Sequence, residues 1–337
     1  MNHDITIEKA VLHVLDANAG MPVISKRELE ISPDLMEYIA KHIDKLTDDS
    51  NKKNAEFDGE YNSFRELAGR LADNEEEFLT VTESIANMMF ELLTKNVDIP
   101  SGDLLCSLVR IDGERHFAIL KLNYKEGFTH WVNNSEKGSI NEIIRHQTLL
   151  PQEGQKLDEG ILISLPEMHI RLIEKQYEIN GEKEFYLTKY LLKCSCELSD
   201  NAKLKILNKV SKNVNKKYFD EDFEKAMMMK KAVSECLEEA SAIRIDKIAD
   251  KVYEKNADIK QEYVQEIEKA GIIEKEIALP EKLIEKKFKT HRIKTDTGIE
   301  IDFPLEYADN ADRIEFINNP DGTLSIIIKN VGRITNK

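Results

Sequence analysis

The segment Leu104-Leu-Cys-Ser-Leu-Val-Arg-Ile111 is followed by Asp112-Gly113 and then by His116-Phe-Ala-Ile-Leu-Lys-Leu122. Asp-Gly is a dipeptide favoured in tight hairpin turns. Two apolar runs of strand length on either side of it predict a β-hairpin. The fold class follows from this hairpin together with the strands and helices that are predicted on either side of it in the chain.

Strands are predicted on both sides of this hairpin. The opening run from Ile5 to Leu15 is mostly apolar and predicts a strand. Short strand patterns follow the hairpin at residues 128–132, 140–144, 161–164 and 169–173. The sheet that they form is expected to be largely antiparallel.

Helices are predicted between the first strand and the hairpin. Ser32-Pro33-Asp34 combines a hydroxyl N-cap, a proline in the first turn and a carboxylate near the helix N-terminus. Ser63 and Glu66 have the spacing of a capping box, which predicts another helix start at Ser63. Residues 1–187 are therefore predicted to form an α+β domain with a mixed, largely antiparallel sheet.

The second half of the chain changes from helix to strand. Helical periodicity runs from Thr188 to about Pro280, at 188–193, 201–218, 221–241, 244–255 and 258–270. Strand patterns return at 288–294, 299–303, 313–317 and 324–329. The sequence thus predicts a helical segment, 188–280, and a C-terminal β-rich segment, 281–337.

Composition is that of a soluble, highly charged protein. The 337 residues allow two or three domains, and 33% of them are charged, above the usual quarter. Four cysteines in so long a chain are not a disulfide framework, so the expected compartment is the reducing cytoplasm. No apolar run is long enough to cross a bilayer and no signal peptide is visible, so no membrane partner is predicted.

The helix predicted at 201–218 carries a cationic face. Lys205, Lys209, Lys212 and Lys216 step by four, three and four residues, which places them on one side of a helix. We call these four residues the lysine face. The opposite side carries apolar residues: Leu204, Ile206, Leu207, Val210 and Val214.

The lysine face lacks the acidic neighbours of an ordinary surface helix. Such a helix mixes Glu with Lys because pairs four residues apart stabilise it. No acidic residue falls between Lys203 and Lys217, although the chain has a formal net charge of −15. An exposed cationic face on an acidic protein favours contact with a polyanion. An acidic protein partner and a merely solvated helix are the alternatives.

A second basic element lies near the C-terminus. Lys287, Lys289, Arg292 and Lys294 begin a predicted hairpin that turns at Thr295-Asp-Thr-Gly298. The helix predicted at 258–270, which precedes it, is too acidic to enter a major groove. Nucleic-acid binding by these residues is therefore predicted to be directed at the backbone and largely independent of sequence.

Motifs of common enzyme and metal sites are missing from the sequence. It has no phosphate loop, dinucleotide-binding turn, nucleophile elbow or zinc helix. Cys194-Ser-Cys196 lacks a second Cys or His pair, which favours two ordinary thiols. Lys121 lacks the acid two residues before it that a metal nuclease would have, and Trp131 is predicted in a core or an interface. No catalytic residue, metal site, cofactor or small-molecule substrate is predicted.

Several segments together resemble bacterial nucleoid-associated proteins of the NdpA/YejK type. They are Ile7-Glu-Lys-Ala-Val-Leu-His-Val-Leu-Asp16, Glu77-Phe-Leu79, Gly102-Asp-Leu, Phe117-Ala-Ile-Leu-Lys-Leu122, Ile299-Glu-Ile-Asp-Phe303, Arg313-Ile-Glu-Phe and Pro320-Asp-Gly-Thr-Leu-Ser-Ile-Ile-Ile-Lys329. The resemblance implies association with the nucleoid, a cytoplasmic location and no established catalytic residues. The lysine face is inferred from the residues and is not part of the resemblance.

Together these features predict a non-enzymatic nucleoid-associated protein. It would contact the DNA backbone through the lysine face, assisted by Lys287, Lys289, Arg292 and Lys294. Four phosphate contacts predict a log–log salt slope of about −3.6, roughly a hundredfold loss of affinity between 50 and 200 mM salt. The alternatives are an adaptor that reaches the nucleoid through DNA-processing proteins and, less favoured, a nuclease or other nucleic-acid enzyme. The sequence does not determine the oligomeric state, and a homodimer, in which pairing would double the cationic face, is compatible with it.

Overall fold

A seven-stranded antiparallel sheet with helices on both faces forms the first of two units. The structure, a computed structural model, describes residues 3–59, 61–135, 138–220, 222–307, 310 and 312–335, with the backbone only at 135, 138, 286, 291, 305 and 318. The two units comprise residues 1–199 and 200–337.

The first unit begins and ends with strands of the same sheet. Its elements are β1 (Ile5–Leu15), α1 (Pro33–Asp48), β2 (Lys53–Phe57), α2 (Ser63–Asp73), α3 (Phe78–Lys95), β3 (Gly102–Ile111), β4 (Glu114–Asn123), β5 (Lys125–Ser135), β6 (Gly138–Leu149), β7 (Glu159–Ser164), β8 (Ile170–Ile173), β9 (Tyr177–Ile179), β10 (Glu182–Glu184), a π-helix (Leu187–Leu192) and β11 (Cys194–Cys196).

The large sheet is buried on both faces. Its strand order is β1-β3-β4-β7-β8-β2-β11, and all its pairs are antiparallel. Successive residues of a strand point to opposite faces, so Leu104 and Cys106 pack in one core with α2 and α3. Leu105 and Val109 pack in the other core, with α1. Two-sided burial explains why β3 is apolar almost throughout.

The hairpin that decided the fold class is present as predicted. Asp112 and Gly113 have φ values of 52° and 91°, the left-handed conformation that a tight hairpin turn requires. The helix start at Ser32 is also confirmed, since the Ser32 hydroxyl accepts a hydrogen bond from the Leu35 amide at 3.3 Å. The predicted cap at Ser63 is wrong by one residue. Asn62 is the N-cap instead, and its Oδ1 accepts hydrogen bonds from the Phe64 and Arg65 amides, both at 3.0 Å.

An ion pair is buried inside the large sheet. Lys121 on β4 and Glu159 on β7 are direct cross-strand partners, and their charged groups lie 2.9 Å apart. Both side chains are almost fully buried, and Asn123 donates to the same carboxylate at 3.2 Å. Burial lowers the pKa of Lys121, which means that desolvating the ammonium outweighs its attraction to Glu159.

The second unit combines a helical part with two β-hairpins. Its elements are α4 (Asp200–Phe219), α5 (Phe223–Ala240), β12 (Ala242–Arg244), α6 (Ile245–Val252), α7 (Ala257–Lys269), β13 (Glu276–Ala278), α8 (Glu281–Phe288), β14 (Thr290–Lys294), β15 (Glu300–Pro304), β16 (Ile314–Asn318) and β17 (Leu324–Ile328). Phe223 of α5 packs 5.0 Å from Phe316 of β16, between ring centroids, so the helical part and a hairpin share apolar contacts.

The predicted fold class is confirmed: the protein is α+β with mostly antiparallel sheets. Residues 188–199, expected in the helical segment, belong to the first unit, where Leu191 and Cys194 are part of a core. The helical and β-rich segments, 200–280 and 281–337, lie in one unit. The predicted strand at 288–294 begins only at Thr290, because Phe288 ends α8. The division into three segments stays a prediction.

We expect Lys121→Met to lower the free energy of unfolding by about 3–5 kcal/mol, because it leaves the Glu159 carboxylate buried without its cation. Lys175→Met is the control, since Lys175 is exposed and its partner Asp158, at 2.7 Å, keeps Lys125 beside it at 3.6 Å, so the loss should be about 1 kcal/mol or less. The double variant Lys121→Met/Glu159→Leu should recover part of the loss. Equal losses for Lys121→Met and Lys175→Met in urea titrations would contradict this.

We also expect the first unit to lose stability as the pH falls from about 6.5 towards 4. Burial lowers the pKa of His13 to about 4 and also lowers the pKa of His42 and His116. These groups bind protons more readily in the unfolded chain, near pH 6.5, so protonation there favours unfolding. Amide hydrogen exchange of β1 at pH 7 and pH 5 measures the loss. His13→Gln should reduce its pH dependence, whereas His130→Gln, at an exposed position, should not.

Candidate nucleic-acid interface

Helix α4 buries one side and exposes the lysine face. Leu204, Leu207, Val210 and Val214 are buried, as the predicted helical spacing requires. Ile206 is only partly buried. Lys205, Lys209, Lys212 and Lys216 are all exposed, so the structure brings the four predicted residues together on one solvent-facing side of a single helix.

Ion pairs flank the lysine face without covering all of it. Lys203 pairs with Glu274 at 3.0 Å and Lys217 with Glu262 at 2.7 Å. Glu262 raises the pKa of Lys217, as expected for an ammonium next to a carboxylate. Within the described residues, Lys205, Lys209 and Lys212 form no ion pair, whereas Lys216 interacts elsewhere in the chain. Lys205, Lys209 and Lys212 therefore carry cationic charge that the described residues leave available.

The second basic element has its own acidic partners. Arg292 donates two hydrogen bonds to Asp302, at 2.8 and 2.6 Å, and Lys294 pairs with Glu300 at 2.9 Å. Lys289 pairs with Glu285, and Lys287 donates to Asn201 Oδ1. Asp302 and Glu300 lie directly opposite Arg292 and Lys294 in the β14–β15 register. The predicted turn at 295–298 already implied this register, so the pairing was readable from the sequence.

A cavity of about 300 Å³ lies between α4 and α5, beside the lysine face. Lys212 lines it from α4, and Lys225 and Lys230 line it from α5. Asn208, Asn215 and Phe219 also line it, and none of the described residues that line it is acidic. We call it the α4–α5 cavity. Lys225 and Lys230 were not among the residues predicted from the sequence to contact a polyanion.

A larger cavity in the first unit has the opposite character. It measures about 600 Å³, and four glutamates line it, including Glu114 and Glu197. Among its described lining residues, Arg171 is the only Lys or Arg. A polyanion would be repelled there. In contrast, the charged residues of the α4–α5 cavity and of the lysine face are all positive.

The β5–β6 hairpin stands apart from the large sheet. It forms a two-stranded sheet of its own, with Phe128 74% and Ile143 80% exposed on one side. Trp131 is 57% exposed, so its predicted place in a core is wrong, because neither side of this hairpin is covered by the described chain. Its predicted place in an interface remains open.

Two groups of side chains that an enzyme could use are Lys121 with its neighbours and the thiols of Cys194 and Cys196. Lys121 does have a carboxylate beside it, Glu159, which sequence spacing could not reveal. Both groups are buried, however, so a nucleic-acid phosphate cannot reach them. Cys194 and Cys196 are free thiols on β11, and the described residues contain no group of three or more His, Cys, Asp or Glu side chains that could hold a metal ion.

The family model for nucleoid-associated protein YejK matches residues 11–336, nearly the whole chain. The chain belongs to this family. The resemblance seen in the sequence is thereby confirmed, and association with the nucleoid follows from the family. No curated protein matches the sequence. In the described part of the chain, no helix combines the length and the apolar character needed to span a membrane.

Proposed function

We propose that the protein binds DNA directly, through the phosphate backbone and without strong sequence preference. The observation that carries the proposal is the exposed trio Lys205, Lys209 and Lys212, which form no ion pair with the described residues of a chain of net charge −15. Phosphates would supply the missing counter-charge. Membership of the family supports the bacterial nucleoid, in the cytoplasm, as the place of action. The proposal involves no catalytic step.

Lys287, Lys289, Arg292 and Lys294 are proposed as secondary contacts. The carboxylate partners of Lys289, Arg292 and Lys294 are exposed. Exposed ion pairs contribute about 0–1 kcal/mol, so a DNA phosphate can replace the carboxylate at small cost. The three unpaired lysines of α4 need no such exchange and are therefore the primary contacts.

We expect duplex DNA to bind with a log–log salt slope of about −2.7, because three lysines each contribute about −0.9. Fluorescence anisotropy between 50 and 200 mM salt measures it, with two duplexes of unrelated sequence giving similar affinities. The variant Lys205→Gln/Lys209→Gln/Lys212→Gln should bind weakly and reduce the magnitude of the slope by nearly the whole amount.

The control removes three lysines that already have partners. Lys247, Lys251 and Lys260 pair with Glu239, Glu235 and Asp250 in the same unit. Changing these three to Gln alters the net charge equally and should leave the slope near its original value. Equal effects of the two triple variants would show that only net charge matters. Absence of any shift with pure duplex at 50 mM salt would refute direct binding and leave the adaptor alternative.

We propose further that two copies of the chain associate through the β5–β6 hairpin. An isolated two-stranded hairpin is marginal in water, and this one exposes Phe128, Trp131, Ile140 and Ile143. Its 11-residue strand β5 is about 37 Å long at about 3.4 Å per residue. With a width of roughly 10 Å, its two faces offer roughly 740 Å², close to the roughly 800 Å² per partner of a standard interface.

Charge favours a second copy as the occupant of this hairpin. Residues 125–149 contain three basic residues, Lys125, Lys137 and Arg145, and three acidic ones, Glu126, Glu136 and Glu142. Two such segments attract or repel each other little, although the whole chains are both acidic. A balanced segment also offers nothing to attract DNA, so the hairpin is better suited to a like partner.

Sedimentation velocity tests the association. The wild-type chain should sediment as a dimer, and Trp131→Ser/Ile143→Ser should sediment as a monomer, because it removes one large exposed apolar side chain from each side of the hairpin. The control is Val97→Ser/Ile273→Ser, at positions that are 95% and 84% exposed elsewhere, and it should remain dimeric. A monomeric wild-type chain at tens of micromolar would refute the proposal.

A further inference from the structure

The α4–α5 cavity brings three lysines together, and two of them form no ion pair within the described chain. These two are Lys212 and Lys225, and Lys225 Nζ contacts the Val252 carbonyl at 3.4 Å and the Met228 sulfur at 3.9 Å. Lys230, the third lysine of the lining, is exposed, and desolvation lowers its pKa. An anion in the cavity would supply a counter-charge to Lys212 and Lys225 and would offset the repulsion among the three lysines.

An aromatic surface lies next to these cations. Phe219 lines the cavity, and its ring stacks nearly parallel to that of Tyr253, with centroids 6.1 Å apart and planes 16° apart. Lys225 Nζ lies 5.3 Å from the centroid of the Phe219 ring. Phosphate-binding cations beside an aromatic ring are the combination by which proteins hold unpaired nucleotides, the base stacking on the ring.

The remaining lining suits the same ligand. Asn208 and Asn215 bring side-chain amides to the cavity, which can hydrogen-bond the polar edge of a base. A volume of about 300 Å³ is at the lower end of small-molecule sites and is far too small for a duplex. A single charged, planar group therefore fits better than a helical nucleic acid.

We propose that the α4–α5 cavity binds one nucleotide unit, with its phosphate on Lys212, Lys225 and Lys230 and its base on Phe219. The unit is either a free nucleotide or an unpaired nucleotide of a DNA strand, which present the same chemistry. The inference rests on the proposed function in one respect, because Lys212 belongs to both the cavity and the lysine face. It adds a second mode of contact, in which the base is held as well as the phosphate.

The test compares cavity variants with lysine-face variants of the full chain, using adenosine monophosphate, a single-stranded oligothymidine and a duplex as probes. The cavity variants are Lys225→Gln/Lys230→Gln and Phe219→Leu. We expect each to weaken binding of the single strand about tenfold, in line with the loss of a stacking or phosphate contact, and to leave duplex binding unchanged. Lys205→Gln/Lys209→Gln should do the reverse, so failure of the duplex proposal and failure of this one are distinguishable.

The two sources of the nucleotide unit are separated by competition. Adenosine monophosphate that binds and displaces the single strand, with both effects lost in Lys225→Gln/Lys230→Gln, supports a site for free or terminal nucleotides. Binding of the single strand alone, lost in the same variant, supports an unpaired nucleotide within DNA. The proposal is overturned if cavity variants bind both probes like the wild type, or if inorganic phosphate or polyglutamate competes as well as adenosine monophosphate. Thermal unfolding of Lys225→Gln/Lys230→Gln checks folding, because Phe219→Leu also removes packing.

Discussion

The apolar stripe of α4 determines which way the lysine face points. Leu204, Leu207, Val210 and Val214 are each at least 93% buried. Burying one such side chain contributes about 1.5–3 kcal/mol, whereas repulsion between neighbouring lysines costs a few tenths of a kcal/mol. The helix therefore cannot rotate to separate or hide its cations, and the fold keeps Lys205, Lys209 and Lys212 exposed without an ion pair to the described residues.

Features set by neighbouring residues were predictable from the sequence. The hairpin at Asp112-Gly113 and the two sides of α4 were correct because turn chemistry and helical spacing are local. Contacts that depend on strand order were not. Glu159 reaches Lys121 only because β7 lies beside β4, and the exposure of Trp131 depends on β5 leaving the large sheet. No pattern within either segment contains that information.

The residues of the candidate site also differ in whether local sequence patterns could predict them. Lys205, Lys209 and Lys212 were predicted from their spacing, because a single helix holds them. Lys225 and Lys230, which line the α4–α5 cavity, were not predicted, since their position depends on how α5 packs against α4. The acidic partners in the β14–β15 hairpin were predictable in part. A turn at 295–298 implies that Arg292 faces Asp302 once the pairing of the two strands is counted back from the turn.

Local charge, rather than net charge, decides whether an acidic protein can hold DNA. At physiological salt the Debye length is about 8 Å, so carboxylates farther than this from a bound phosphate are largely screened. Lysines in direct contact with that phosphate would be screened much less by salt, because they lie well within the Debye length. In the proposed complex, the net charge of −15 would act mainly on the rate of approach, which it would slow, while the contacts of α4 would govern how long the complex lasts. Three contacts on one chain hold weakly, but two linked copies would raise the effective concentration of the second lysine face once the first is bound. The proposed association of the chain with itself would thus compensate for a small cationic surface on a large acidic one.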